Sequence, residues 1–249
     1  MSRNFELLRE VEKEHEQFRA EVASAPMPTT ARSPNGDSAF PRNTPGVREE
    51  MLKLVQRLFL SGAADAPRRV VFCTIDEGAE SPWLCARVGE ILASQVSVPV
   101  CVVDAKFRSP SLHQCFDSEL RAVRAVSPTD TYRKRAEQVS PNLWLASCEA
   151  LGANGNGAPN AESLRSRLGE LRSQFDYLLI DAPAVTPYGD AALLGQLSDG
   201  VVLVLEANST RRAAAKRGKE VLEAANVRLL GTVLNNRTFP IPERLYRKL

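Results

Sequence analysis

Apolar residues from position 69 onward fall into six short runs, and helical patterns separate these runs. Most of the runs are continuous rather than alternating, which is typical of parallel strands buried on both faces. The predicted strands cover 69–74, 98–105, 143–147, 175–182, 200–207 and 227–235. The predicted helices between them cover about 82–95, 160–174, 188–197 and 210–225. This alternation predicts an α/β fold, with a doubly wound, mainly parallel sheet and helices on both faces.

The N-terminal part of the chain has a different pattern. Residues 1–23 contain a charged, weakly amphipathic helical pattern, whereas 24–46 are rich in Pro, Ser, Thr, Asn and Gly. Such a composition predicts a disordered linker between the first helix and the α/β domain. A further helix, predicted at 47–60, places Leu58 and Phe59 on an apolar face. The predicted domain therefore spans 47–249.

Composition narrows the class of protein. The chain has 249 residues, of which 43% are hydrophobic and 25% charged, as in an ordinary globular domain. A net charge of +2 argues against binding to nucleic acid. The five cysteines lack metal-site spacing and indicate free thiols in a reducing compartment. The N-terminus is too charged for a signal peptide and no apolar run is long enough to span a membrane, so we expect a cytoplasmic protein.

The segment `TIDEGAES` lies between the first predicted strand and a predicted helix. This is the frame of a phosphate-binding loop, in which a lysine normally reaches the phosphates. No lysine occurs between Lys53 and Lys106, and Glu80 lies in the loop. The order of strand, loop and helix therefore predicts a nucleotide site. The missing lysine and the presence of Glu80 predict that this site binds phosphate weakly.

Two aspartates follow apolar strands further along the chain. Asp104 ends the second strand in `VVDAKFRSPSLH`, and Asp181 ends the fourth in `LLIDAPAV`. In open parallel sheets, ligands bind at the carboxyl ends of strands, and an aspartate there can hold Mg²⁺ beside a phosphate. The alternative for each aspartate by itself is a turn or helix-capping residue.

Together these segments resemble the cytoplasmic tyrosine kinases of bacterial capsule and exopolysaccharide synthesis, which are P-loop proteins related to the Min and Par ATPases. That family has a G-E-G-K-[ST] loop, then a D-x-D-x-R-x-P-x-L-H motif, and later an apolar-D-x-P-P motif. `VVDAKFRSPSLH` matches the second motif and `FDYLLIDAPAV` the third, while `SDGVVLVLEANSTRRAA` and `LLGTVLNNR` resemble the closing segments. The resemblance runs from about residue 47 to the end.

The resemblance implies Mg²⁺-ATP as the cofactor. It implies Asp104 and Asp181 as the catalytic and Mg²⁺-binding residues, and Tyr246 as a phosphate acceptor, although the family's tyrosine cluster is absent. The nucleotide-binding residues it implies are Glu77, Gly78, Ser81 and Asn235.

The chain departs from the family in its charges. Alignment on Glu77 and Gly78 puts Ala79 at the lysine position, whereas alignment on the following helix puts Ser81 there. Lys106 occupies the position at which the D-x-D motif has its second acid. Opposite unit charges about 4 Å apart attract by about 4 kcal/mol at an effective dielectric near 20, so the missing lysine predicts weak or no Mg²⁺-ATP binding. Lys106 is the candidate for a substitute cation.

Three functions remain open. The first is a kinase-like, non-catalytic regulator of a membrane polysaccharide co-polymerase, or chain-length regulator, held by this partner at the inner face of the plasma membrane. The second is an active tyrosine autokinase with an atypical loop, and the third is a Min- or Par-like positioning ATPase. For the first, the expected association surfaces are the 47–60 helix and the C-terminal tail, which could also support self-association. Their apolar anchors are Leu58, Phe59, Ile241 and Leu245.

Overall fold

Seven strands form a single sheet in the part of the chain that the computed structural model describes. The strands are β1 (Arg69–Thr74), β2 (Val100–Asp104), β3 (Ala136–Ser140), β4 (Leu143–Ala146), β5 (Tyr177–Asp181), β6 (Gly200–Glu206) and β7 (Leu229–Asn235). Their order is β3-β4-β2-β5-β1-β6-β7, and every neighbouring pair is parallel except β3 and β4. The predicted α/β class with a mainly parallel sheet is confirmed.

One described helix precedes the first strand, and the others lie between strands. They are α1 (Pro45–Phe59), α2 (Ser81–Gln95), α3 (Ala161–Gln174), α4 (Asp190–Gln196) and α5 (Arg212–Ala224), with short 3-10 helices at Leu112–Cys115 and Cys148–Leu151. Among the helices that the structure describes, none is long and apolar enough to cross a membrane.

The structure describes residues 45–62, 65–77, 81–116, 136–153 and 157–237. The predicted N-terminal helix and linker lie almost entirely outside these ranges, and the domain boundaries drawn from the sequence stay predictions. Gly78 and the tail residues Ile241, Leu245 and Tyr246 also lie outside them.

The sheet separates two apolar cores, one on each face. Along β1, Val71 and Cys73 belong to one core, whereas Val70 and Phe72 belong to the other. All four side chains are fully buried. This two-sided burial explains why the strand sequences are continuously apolar rather than alternating.

Strand β3 is the element that the apolar pattern did not predict. Its sequence is `AEQVS`, and Val139 is its one fully buried residue. The strand forms the edge of the sheet and pairs antiparallel with β4. Because backbone pairing rather than side-chain burial holds it, its sequence carries little apolar signal.

Helix α2 lies very close to β2, and Gly89 permits this approach. A Cβ atom at position 89 would lie 2.5 Å from Val102 Cγ2, which belongs to a stiff β-branched side chain. We expect Gly89→Ala to lower the free energy of unfolding by about 1–3 kcal/mol, measured by urea denaturation.

Gly169 provides the matched control for this substitution. It lies on the exposed face of α3, and nothing lies within 4 Å of a Cβ atom placed there. Gly169→Ala should therefore raise stability by about 0.5–1 kcal/mol, because alanine has the higher helix propensity. Equal stability of the Gly89→Ala protein and the wild type would contradict the close approach of α2 and β2.

Candidate nucleotide site

The carboxyl ends of β1, β2 and β5 meet at one edge of the sheet. β5 lies between β2 and β1, and Asp104 at the end of β2 is the register partner of Asp181 at the end of β5. Phe72 of β1 is the register partner of Asp181 on the other side. The two acidic strand ends are therefore neighbours in the sheet.

Ser81 connects the first helix of the site to Asp181. Ser81 is the first residue of α2, and its Oγ donates a hydrogen bond of 2.6 Å to Asp181 Oδ1. Both residues are fully buried. In a phosphate-binding loop, the Ser or Thr at the start of the helix is the hydroxyl residue of the magnesium site. The position of Ser81 at the start of α2 and its contact with Asp181 favour Ser81 as the equivalent of that hydroxyl residue.

This position for Ser81 gives a loop register that neither alignment from the sequence contained. In G-E-G-K-[ST] the lysine directly precedes the hydroxyl residue, and here residue 80 is a glutamate. Ala79 then corresponds to the glycine before the lysine. The sequence alignments missed this register because they gave weight to Gly78 or to the helix pattern, and the buried hydrogen bond was not visible to them.

Lys106 supplies a positive charge beside Asp181. Its Nζ lies 3.7 Å from Asp181 Oδ2, which makes an ion pair but is too long for a hydrogen bond. The Lys106 side chain is 15% exposed and that of Asp181 is 0% exposed. Burial raises the pKa of Asp181 to about 7, while Lys106 and the Ser81 hydroxyl act in the opposite direction.

Asp104 is bonded to the backbone of the loop that follows it. Its Oδ1 accepts the backbone N–H of Lys106 at 3.1 Å. Its Oδ2 accepts the backbone N–H groups of Ser111 and Leu112 at 3.0 and 2.9 Å. The Cys148 thiol lies 3.7 Å from Oδ1 as a further donor, and burial is the main cause that raises the pKa of this thiol to about 12. These contacts support the turn-residue alternative for Asp104.

A cleft of about 390 Å³ opens beside these residues. Its lining residues are Thr74, Glu77, Lys106, Arg108, Ser109, Pro183, Ala184 and Tyr188. The position of the cleft at three carboxyl strand ends is where a doubly wound sheet binds ligands.

Side chains from three loops meet over this cleft. The Arg108 guanidinium lies 4.0 Å from the centroid of the Tyr188 ring, and its Nη1 pairs with Asp190 Oδ2 at 2.6 Å. A hydrogen bond with Glu77 is the main cause that raises the pKa of Tyr188. The loops after β1, β2 and β5 are thereby joined. Arg108 stands at the arginine of the second motif, whereas no sequence signal pointed to Tyr188.

The structure does not bring every predicted nucleotide-binding residue to this cleft. Glu77 lines it, but Asn235 ends β7, at the edge of the sheet, with β6 between it and β1. Asn235 is buried, and its carbonyl accepts the backbone N–H of Ala207.

Phe59 does not lie on the association surface that the sequence suggested. It is 3% exposed, and its ring packs edge-on against Tyr177 with the centroids 5.8 Å apart. Burial in the core leaves Phe59 no surface with which to contact a partner. Leu58 is half-buried, so it still offers part of its side chain.

The donor atoms at the strand ends do not fit a divalent cation. Both Asp104 oxygens accept hydrogen bonds from the protein, Asp181 Oδ1 accepts one from Ser81, and Asp181 Oδ2 faces an ammonium group. Across the described ranges, no group of three His, Cys, Asp or Glu side chains is placed to hold a metal ion. Magnesium prefers oxygen ligands and retains several waters, and it would compete here with the Lys106 charge.

Comparisons with known sequences find relatives that are named as tyrosine-protein kinases. No family model matches the chain. It is 25% identical over 150 residues to tyrosine-protein kinase YwqD of Bacillus subtilis, an alignment covering 59% of this chain and 63% of the relative. It is 20% identical over 198 residues to the putative tyrosine-protein kinase CapB of Staphylococcus aureus, covering 78% and 86%. The match to YwqD thus spans less than two thirds of that protein.

Solved structures show the same fold. The chimerical protein CapA2B2 superposes with a TM-score of 0.63 at 20% identity, covering 81% of this chain and 89% of that one. The kinase domain of Escherichia coli tyrosine kinase ETK gives 0.60 at 16% identity, covering 78% and 79%. MinD of Aquifex aeolicus gives 0.54 at 20% identity, covering 73% of each chain.

The fold is thus the one shared by these tyrosine kinase domains and MinD. The chain is also similar in sequence to proteins named as bacterial tyrosine-protein kinases, so the resemblance seen in its motifs is confirmed.

Proposed function

We propose that this protein is a non-catalytic relative of the bacterial tyrosine kinases, acting in capsule or exopolysaccharide biosynthesis. It regulates or accompanies a membrane polysaccharide co-polymerase, which holds it at the inner face of the plasma membrane. The observation that carries the proposal is the charge of the loop: Ser81 bonds Asp181 as the hydroxyl residue, and a glutamate precedes it where the family has lysine.

The charge change at position 80 weakens phosphate binding in two ways. The attraction of a lysine is lost, and the carboxylate of glutamate repels the phosphates. At about 4 Å and an effective dielectric near 20, each term is about 4 kcal/mol. Because about 1.4 kcal/mol corresponds to a tenfold change in affinity, a site that binds ATP well would lose most of its occupancy.

Specific observations favour each alternative function. Lys106 lines the cleft and carries a positive charge there, which favours an active autokinase in which Lys106 replaces the loop lysine. In that protein Asp104 and Asp181 would hold Mg²⁺, and Tyr246 would accept phosphate. The fold shared with MinD favours a positioning ATPase. The `RSPSLH` segment favours the polysaccharide branch over that second alternative.

Association with the membrane partner is the other part of the proposal. Leu58 on α1 and the tail residues Ile241 and Leu245 are its apolar anchors, since a desolvated apolar anchor can contribute 2 kcal/mol or more to an interface. Phe59 is left out because it is buried in the core.

Calorimetric titration of the purified protein with Mg²⁺-ATP tests the proposal. We expect no saturable binding below about 1 mM, and no phosphotyrosine after incubation with ATP, because the loop has lost its lysine. A gene deletion should nonetheless reduce polymer production, and the wild-type gene should restore it. Micromolar affinity together with autophosphorylation would support the autokinase instead. Normal polymer production in the deletion strain would contradict the regulatory role.

A further inference from the structure

Asp181 is a buried carboxylate that needs a counter-charge. It is 0% exposed, and Ser81 satisfies one of its oxygens. Its other oxygen, Oδ2, has no hydrogen-bond partner among the described residues and lies 3.7 Å from Lys106 Nζ. A buried charge is tolerated only when it is paired or neutralised.

The two ends of Lys106 contact the two acids of the site. Its backbone N–H donates to Asp104 Oδ1 at 3.1 Å, and its side-chain ammonium pairs with Asp181. The side chain is 15% exposed, so surrounding groups largely confine it. The loop is thereby fixed on one aspartate while the side chain neutralises the other.

We propose that Lys106 is a built-in counter-cation, which replaces a divalent metal ion at the ends of β2 and β5. In the resembling family, an acid stands at this position of the D-x-D motif, so the substitution exchanges a metal-attracting charge for a positive one. A divalent ion on Asp181 Oδ2 would meet the ammonium at close range, and like charges repel. The charge of Asp181 is therefore neutralised by the chain itself and does not depend on magnesium.

This inference deepens the proposed function, and it rests on that function for the view that magnesium nucleotide is not used. It adds a stabilising role for the residue that prevents metal binding. In this protein the charge pair contributes to folding in place of catalysis.

A double-mutant cycle tests the pair through melting temperatures. At pH 9, above the pKa of about 7 that Asp181 has in the folded protein, we expect Lys106→Met to lower the melting temperature by at least about 5 °C, because it leaves an ionised, buried carboxylate without its cation. In the Lys106→Met/Asp181→Asn double variant, a neutral amide replaces the carboxylate, so most of that loss should be recovered. Lys53→Met is the control, since Lys53 pairs only with exposed Glu49 and Glu50 among its described contacts. A shift below about 1 °C is expected there.

Magnesium titration gives the second measurement. Lys106→Asp restores the acid of the motif, so millimolar MgCl₂ should raise the melting temperature of this variant by several degrees through preferential binding to the folded state. The wild type and Lys106→Met should not respond beyond the ionic-strength effect measured with NaCl. An unchanged melting temperature of Lys106→Met would overturn the inference. A magnesium response of the wild type equal to that of Lys106→Asp would also overturn it, as would a folded Lys106→Asp protein without a response.

The outcomes distinguish the two proposals. Absence of coupling between Lys106 and Asp181, together with absence of ATP binding, would overturn the counter-cation and leave the non-catalytic role standing. Micromolar Mg²⁺-ATP binding in a protein that shows the coupling would overturn the non-catalytic role and leave the Lys106–Asp181 pair standing.

Discussion

Asp104→Ala is expected to lower the free energy of unfolding by about 3–5 kcal/mol, measured by urea denaturation followed by circular dichroism. Its carboxylate accepts the backbone N–H groups of Lys106, Ser111 and Leu112. A buried donor left without an acceptor costs about 1–3 kcal/mol, and one buried and two partly buried donors are affected together. The loop from β2 to the 3-10 helix at Leu112–Cys115 would lose its main point of attachment.

Two variants calibrate this result. Asp104→Asn keeps one acceptor oxygen but presents an N–H group to at least one donor, so its loss of stability should be intermediate. Asp65→Ala changes an exposed acid and should stay within about 0.5 kcal/mol of the wild type. An Asp104→Ala protein that unfolds at the wild-type urea concentration would show that this carboxylate does not hold the loop.

The largest gain in ATP affinity is expected from restoring the lysine of the phosphate-binding loop. Ala79→Gly with Glu80→Lys recreates a Gly-Lys-Ser sequence in the register that Ser81 defines. The double variant should bind ATP about 100-fold more tightly than the wild type, because about 3 kcal/mol of the restored attraction survives solvent screening. Calorimetry without and with Mg²⁺ measures the change.

The matched control for this gain is Glu80→Ala, which removes the repulsion without adding a lysine. It should recover only part of the affinity. A triple variant that combines Lys106→Asp with Ala79→Gly and Glu80→Lys should bind ATP in a magnesium-dependent way. The Lys106 ammonium, which competes with the metal ion, is then absent. Equal affinity of the restored and wild-type proteins, with the fold intact, would contradict the register.

The sequence predicted the elements that carry a strong apolar pattern. All six predicted strands are present, with ends shifted by at most two residues, and β1 was predicted at its observed bounds. Strand β3 escaped prediction because its signal lies in backbone pairing with β4, while Glu137 and Gln138 are polar.

The chemistry of the site was predicted less completely. The sequence located Asp104 and Asp181 at strand ends, because strand ends can be read from where apolar runs stop. It could not show which atoms those carboxylates contact, since the donors come from Lys106, Ser111 and Ser81 through the tertiary fold. The role of Tyr188, in a loop without any motif, was likewise invisible.

The attachment of Asp104 to its loop has an evolutionary consequence. An aspartate that the fold itself requires is kept by purifying selection even after a lineage has stopped using nucleotide, because each replacement exposes the cell to unfolded protein. Under the proposed function, position 80, where the resembling kinases have lysine and this chain has glutamate, is no longer under the selection that retains a phosphate-binding lysine. A retained aspartate at the end of β2 therefore records ancestry and foldability, and under the proposed function it is the identity of residues 80 and 106 that separates active enzymes from inactive relatives.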